Sequence, residues 1–463
     1  MPITRRGFMQ GAAALGAASL ALPFDEWARQ VGASETTRVR GFGPLRPARD
    51  EATGLELLEL PEGFRYTSFG WTGDELSDGS PTPDSHDGMA VIASDGDTVT
   101  LCRNHEVNGS GRAFGKAGAA YDKFGKGGCT NLVFNTRTGK LERSWASLSG
   151  TVRNCAGGPT PWGSWLSCEE TTVENGDKED SKDEKGLELE QTHGWVFEVP
   201  AKGTSDARPI KGMGRFTHEA ITFDTTSGMI YMTEDQGRAG FYRFVPTERR
   251  NLHVGGKVQM LKAKGTQNLT TGLKAGQTFD VSWVDIENPE VVHADKKPRG
   301  DGCFQKGYAQ QAAMFSGLEG CWFTRGKVYF TAKSGGDAAA GQIWCYLPAE
   351  EKLTLLFESP SGMVLDMPDN ITMSSRGGLV ICEDGTTAPQ QRLQCLTPQG
   401  AVVPFAANNV DLRKTPHNGF KGDYRKLEWA GATFSPDGKW LFANLQIPGI
   451  TLAITGPWRE GLI

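Results

Sequence analysis

Short apolar stretches recur along the chain, each ending in polar or charged residues: Val99–Asn104, Trp165–Glu170, Ile230–Asp235, Val328–Lys333, Leu379–Asp384 and Trp440–Asn444. Most follow a turn signal such as Ser227-Gly228, Arg325-Gly326, Arg376-Gly377-Gly378 or Asp437-Gly438, so each reads as the second arm of a β-hairpin. First arms repeat as well, at His86–Val91, Asn154–Gly158, His218–Thr222, Leu318–Trp322, Asp369–Thr372 and Trp429–Thr433. The polar residue opening a first arm and the one closing its second arm lie about 14 to 16 positions apart. A hairpin sets two such residues side by side at one end.

Six hairpin units predict an all-β fold, a six-bladed β-propeller whose innermost strands line a central channel. About 420 residues over six blades gives roughly 70 each, longer than the ~40–45 of a compact blade, so the excess belongs to loops. The mixed-charge run Glu174–Glu190 reads as one such solvated loop. Segments Leu57–Trp71 and Gln446–Ile454 are expected to share the closing blade. A β-sandwich followed by a second small β domain is the rival architecture, and the regular recurrence of paired arms favours the propeller.

The N-terminus changes the picture of where the protein works. Arg5-Arg6 precedes an apolar, Ala/Gly-rich run from Gly11 to Leu22, the pattern of a twin-arginine export signal. That run is shorter than the ~20 residues that span a bilayer. The expected organisation is a signal segment over 1–33 and a single propeller domain over 34–463, recognised by the twin-arginine translocation machinery and released to the periplasm or outside the cell without a stable membrane anchor. Composition is that of a globular chain: 463 residues, 38% hydrophobic, with 60 glycines spread throughout. A net charge of -6 argues against a nucleic-acid partner, because phosphate backbones need clustered cations. Nine cysteines, an odd number with no CxxC, leave at least one thiol unpaired or free to act as a ligand.

In the propeller, Asp87, Cys155, Glu170, Glu219, Glu234, Glu319, Asp369, Glu383 and Asp384 are expected to converge on one mouth, with Glu106 beside them. Like charges so close require protons or metal cations to compensate. Carboxylates suit Ca²⁺, and a set that includes a thiolate implicates a transition metal such as iron. Arg103 and Lys333 close second arms where other units carry acids, so they and Asn104 are candidates to hold a bound anion such as phosphate. Ser85-His86-Asp87 has triad residue types but no triad geometry, and the histidines lack zinc spacing, with His218 notable because it adjoins Glu219.

Asn154-Cys155-Ala-Gly-Gly-Pro-Thr-Pro-Trp162-Gly with Cys168-Glu169-Glu170, Thr217-His218-Glu219-Ala220, Glu234-Asp235, Leu318-Glu319-Gly320, Pro368-Asp369-Asn370 and Cys382-Glu383-Asp384-Gly385 together resemble the PhoX family of bacterial alkaline phosphatases. The resemblance implies a propeller with an axial site of Fe³⁺ and Ca²⁺ that hydrolyses small phosphorylated substrates, phosphate monoesters. It implies Cys155 as an iron ligand with Glu170 and Glu219, and Glu319, Asp369 and Glu383 as further metal-site carboxylates. Cys155, Glu170, Glu219 and Glu319 then carry the catalysis, metal-assisted in-line displacement at phosphorus. The family pattern has an Arg two positions before the residue matching Glu319, where this chain has Gly317. Two other readings use the same acids: a calcium-dependent propeller hydrolase of lactones or other esters, and a non-catalytic metal-binding propeller.

Overall fold

The computed structural model describes residues 41–115, 120–178, 186–292 and 302–463. The segment read as an export signal lies outside them. The described residues open with three short strands, β1 (Arg46–Ala48), β2 (Leu58–Leu60) and β3 (Arg65–Phe69). A four-stranded antiparallel sheet follows in chain order: β4 (His86–Asp95), β5 (Thr98–His105), β6 (Gly127–Asn135) and β7 (Lys140–Thr151). Next comes a three-stranded sheet of β8 (Asn154–Pro159), β9 (Ser164–Glu169) and β10 (Val196–Pro200).

The next two units are joined. β11 (His218–Phe223), β12 (Ile230–Glu234), β13 (Phe241–Pro246) and β14 (Gly256–Ala263) lead into β15 (Thr278–Asp285). After the helix α1 (Gly302–Ala309) come β16 (Leu318–Thr324), β17 (Lys327–Ala332), β18 (Gln342–Leu347) and β19 (Lys352–Glu358). β15 pairs with β14 on one side and β19 on the other, so the hydrogen bonds make one nine-stranded sheet of these elements. Among the described residues five sheets result where the hairpin pattern alone predicts six.

β20 (Pro368–Met373), β21 (Leu379–Glu383), β22 (Arg392–Leu396) and β23 (Val402–Asn408) form the next sheet, to which β2 and β1 add at the outer edge. The last consists of β24 (Trp429–Phe434), β25 (Leu441–Leu445) and β26 (Ile450–Thr455), completed by β3 from the beginning of the chain. Closure therefore pairs Thr451 with Phe69 and Ile454 with Tyr66, inside the two segments expected to meet, whereas Leu58–Leu60 joins the neighbouring sheet instead.

The architecture is all-β and propeller-like. The first strands of the hairpins, β4, β8, β11, β16, β20 and β24, are each next to the following one, and β24 returns to β4. What lets them pack so closely is the third residue of each strand: Gly88, Ala156, Ala220, Gly320, Asn370 and Gly431. A Cβ on Gly88 would lie 2.5 Å from the Ala156 Cα, one on Gly320 2.6 Å from the Asp369 carbonyl, and one on Gly431 2.6 Å from the Asp87 carbonyl. The core lies between sheets and includes the fully buried Trp344 and Trp429. All nine cysteines are buried and none is in a disulfide. No helix among the described residues is long and apolar enough to cross a membrane.

Candidate metal centre

All six inner hairpins share one local irregularity. The pairs His86 with His105, Asn154 with Glu169, His218 with Glu234, Leu318 with Ala332, Pro368 with Glu383 and Trp429 with Leu445 close them, and the register then slips within the next few residues of the first strand. A β-bulge leaves a residue out of the ladder and re-aims its side chain. The second residues of the six strands, at or beside the slip, are Asp87, Cys155, Glu219, Glu319, Asp369 and Ala430.

A second set comes directly after the closing pairs: Glu106, Glu170, Asp235, Lys333, Asp384 and Gln446. In every one the backbone N–H donates, over 2.6 to 3.2 Å, to the carbonyl of the residue before the first strand: Ser85, Arg153, Thr217, Gly317, Met367 and Glu428 respectively. These bonds hold three sets of residues at the same end of the hairpins.

Three groups of ligand atoms result, each with its atoms within 4.8 Å of one another: Cys155, Glu170 and Glu219; Glu219, Glu319 and Asp369; and Asp369, Asp384 and Glu428. Ligands about 2.3–2.6 Å from one hard cation are separated by distances of this size. Glu219 belongs to the first two groups and Asp369 to the last two, so the groups form a continuous series.

Without cations this arrangement is electrostatically unfavourable. Burial, then the neighbouring Glu319, Asp369 and Glu170, push the Glu219 carboxyl well above the ordinary range. Asp87, Glu170, Glu319 and Glu428 are raised in the same way, and Asp369 is pushed up to about 7, by burial first. The Cys155 thiol, 3% exposed, is raised by burial and then by Glu219 and Glu170. It donates to the His218 carbonyl at 3.2 Å. Two cations face the acids: Lys333 Nζ lies 3.2 Å from Glu319 Oε1 and 2.6 Å from Asp384 Oδ2, and Arg153 Nε lies 3.2 Å from Glu106 Oε1 and 3.3 Å from Glu170 Oε2. The donor set fits metal ions: a thiol among carboxylates, with more acids than the two cations can balance.

A family model described as alkaline phosphatase PhoX matches residues 40–449. The chain belongs to this family. It is accordingly a phosphatase, and PhoX enzymes are metal-dependent. No curated protein matches the chain. Among solved structures, one provisionally assigned as a gluconolactonase is 12% identical, covering 90% of this chain and 99% of its own, with a TM-score of 0.39. A protein of unknown function from Bacteroides thetaiotaomicron is 9% identical, with 84% and 76% covered and a TM-score of 0.43.

Not every residue singled out in this PhoX chain reaches the cluster. Glu234 accepts from Gly240 N at 2.8 Å and Tyr242 Oη at 2.7 Å, and Glu383 is held by Arg392, Gln394 and Asp366 N. Both are closing residues, and side chains alternate along a strand, so it is their successors Asp235 and Asp384 that face the other way. Arg103 is fully buried and donates to Gly70 O, Thr451 Oγ1 and Thr130 Oγ1. It ties β5 to β26 and β6 and is not positioned to bind substrate. Asn104 also lies behind the site: its amide donates to the Cys155 and Ala156 carbonyls at 3.1 and 2.7 Å, fixing the backbone that carries the thiol. His218 packs on Phe216, with its pKa lowered to about 4 by burial, and its ring lies outside the three groups.

Glu428 was missed by sequence reasoning because it precedes its first strand instead of lying in it. It occupies the same offset as Arg153, directly before a first strand.

The tight ring carries a prediction of its own. Gly320→Ala should destabilise the protein by about 1–3 kcal/mol in urea unfolding, because the new methyl meets backbone that cannot turn aside. The Asp369 carbonyl is the atom struck, so metal affinity should fall with it.

Proposed function

We propose that the chain is an exported, metal-dependent alkaline phosphatase that hydrolyses small phosphate monoesters at an axial iron and calcium cluster in a six-bladed propeller. The observation that carries this reading is the series of three ligand groups linked through Glu219 and Asp369. Six inner strands returning from β24 to β4 support the blade count, with β15 read as a strand bridging two four-stranded blades. The twin arginines support export to the periplasm or beyond by the twin-arginine machinery.

In this reading Cys155, Glu170 and Glu219 hold iron, because only this group contains a soft donor. Glu319, Asp369, Asp384 and Glu428 make the all-oxygen part, suited to calcium. Bound cations supply charge neutralisation at the phosphoryl oxygens and lower the pKa of water. The protein's own residues then orient and balance charge. Asn370 donates to Asp369 Oδ1 at 2.7 Å and accepts from Gly431 N at 2.7 Å, which fixes the shared carboxylate. Lys333 and Arg153 bring two cationic heads to a substrate dianion.

Lys333 also answers for Gly317. That glycine has φ +57°, and a Cβ there would lie 2.9 Å from Ser334 Oγ and 3.3 Å from Asp235 Oδ1, so a bulky side chain is disfavoured. The Lys333 ammonium, held between Glu319 and Asp384, supplies the cation in its place. Lys333→Met should therefore raise KM for a phosphate monoester about tenfold or more, the loss of roughly 1.5–3 kcal/mol for a charge-assisted bond. Metal content should stay at the wild-type level. The overall reading is tested by elemental analysis of the purified enzyme with turnover of phosphate monoesters, phosphate diesters and lactones. A folded protein lacking both iron and calcium, or one that turns over only lactones, would refute it.

A further inference from the structure

A second concave site lies outside the axial cluster. It is a groove of about 360 Å³ lined by Tyr121, Gln191, Arg208, Pro209, Lys211, Gly212 and His253. Ile210 N donates to Val196 O on β10, the strand farthest from the axis in its sheet, so the groove segment lies along the outer edge of β10, three strand spacings out from β8 and Cys155. At ~4.8 Å per strand that is roughly 14 Å away.

Three features make the groove a built site for an anion. Its lining contains Arg208, Lys211 and His253 and no carboxylate, in a chain whose net charge is -6. Acids in the neighbourhood are engaged: Glu198 accepts from Trp162 Nε1 at 2.6 Å and Ser164 Oγ at 2.5 Å, Asp206 accepts from Arg208 N at 3.2 Å, and Glu190 pairs with Lys123.

The walls are also fixed in advance. Tyr121 Oη donates to Thr192 O at 2.8 Å, and Gln191 N donates to the buried Asp122 carboxylate at 2.7 Å. Lys211 lies over the Trp195 ring at 5.5 Å, and its turn packs against the turn Leu252–Val254 that carries His253. Pre-organised walls reduce the ordering cost of binding.

Finally, the volume lies near the lower end of the ~300–1,000 Å³ range of small-molecule sites. It admits a small phosphorylated compound.

We propose that this groove is a second ligand site that takes a small phosphorylated molecule, gripping its phosphate between Arg208 and Lys211 with His253 at the back wall. The site does not depend on the axial reaction. Inorganic phosphate titrated calorimetrically into the metal-loaded enzyme is the probe. Two classes of binding are expected. In the double variant R208Q/K211Q the outer class should weaken at least tenfold while kcat on an aryl phosphate is unchanged; Cys155→Ser should spare that class and abolish the axial one. The outer class should also weaken as sodium chloride is raised. His253→Gln, a milder change, should weaken it several-fold should the double variant fail to fold. A single class in the wild type, or an isotherm unaltered by these substitutions, would overturn the proposal.

Discussion

Replacing Cys155 by serine is expected to remove iron from the enzyme and lower phosphate-ester turnover by at least about a hundredfold while leaving the fold intact. Loss of supporting partners alone typically costs 10–100-fold in metal affinity or activity, and a direct ligand should cost no less. Cys155 is buried among Glu219, Glu170 and Asp87, where burial and those acids hold its proton on. Only a strongly attracting cation would make it a thiolate, and a serine hydroxyl in the same place is far harder to ionise. The substitution changes one atom, and serine can still donate to the His218 carbonyl as the thiol does. Metal-free stability should therefore stay within about 1 kcal/mol of wild type. Iron content, turnover and urea unfolding measured on one preparation check the three statements. Wild-type iron and turnover in the serine variant would remove the thiolate from the mechanism and leave iron to the carboxylates of that group alone.

The hairpins and much of the cluster were legible in the chain because both rest on local patterns. Apolar arms closed by glycine turns locate β5 and its counterparts to within a residue or two, though β4 runs on past Val91 to Asp95, and the recurring polar residue beside each arm marks the mouth. The errors were ones of phase. Alternation in a strand is strict, so reading Glu383 with Asp384, or Glu234 in place of Asp235, puts a side chain on the wrong face. Which member of each pair faces the axis depends on where the second strand ends against the first, and only the folded register reveals that. Arg103 was misplaced for the same reason: it lies two residues before the end of β5, whereas the cluster residue of that hairpin is Glu106, just beyond it. The joining of two units by β15 depends on pairings between segments far apart in sequence, where no local signal exists.

The same electrostatics predict that the metal-free protein loses stability as pH rises above about 6.5. Asp87, Glu170, Glu219, Glu319 and Glu428 all have native-state pKa values well above the ordinary carboxylate range, so the native state holds protons that the unfolded chain releases. A group of this kind favours folding at low pH, and that advantage is lost progressively from its unfolded pKa up to its native one. Buried His193, raised to about 9 chiefly by Glu169 and Asp122 against the effect of burial, loses its contribution over the same range. His86, His105 and His218 act in the opposite sense, since burial lowers their pKa values, but their effect is complete once pH passes the unfolded value of ~6.5. Above that point only the destabilising trend remains. If the native state holds one proton more than the unfolded chain throughout two pH units, the loss is about 3 kcal/mol. In a chain of this size, with an unfolding entropy of about 0.9 kcal/mol/K, that lowers Tm by roughly 3–4 °C between pH 6.5 and 8.5. Calcium and iron should reverse the trend, because their ligands bind deprotonated and affinity grows with pH. Thermal unfolding of the stripped and reloaded enzyme across this interval checks both signs. A stripped protein whose Tm is flat or rising would show that the acids are balanced by something other than metal.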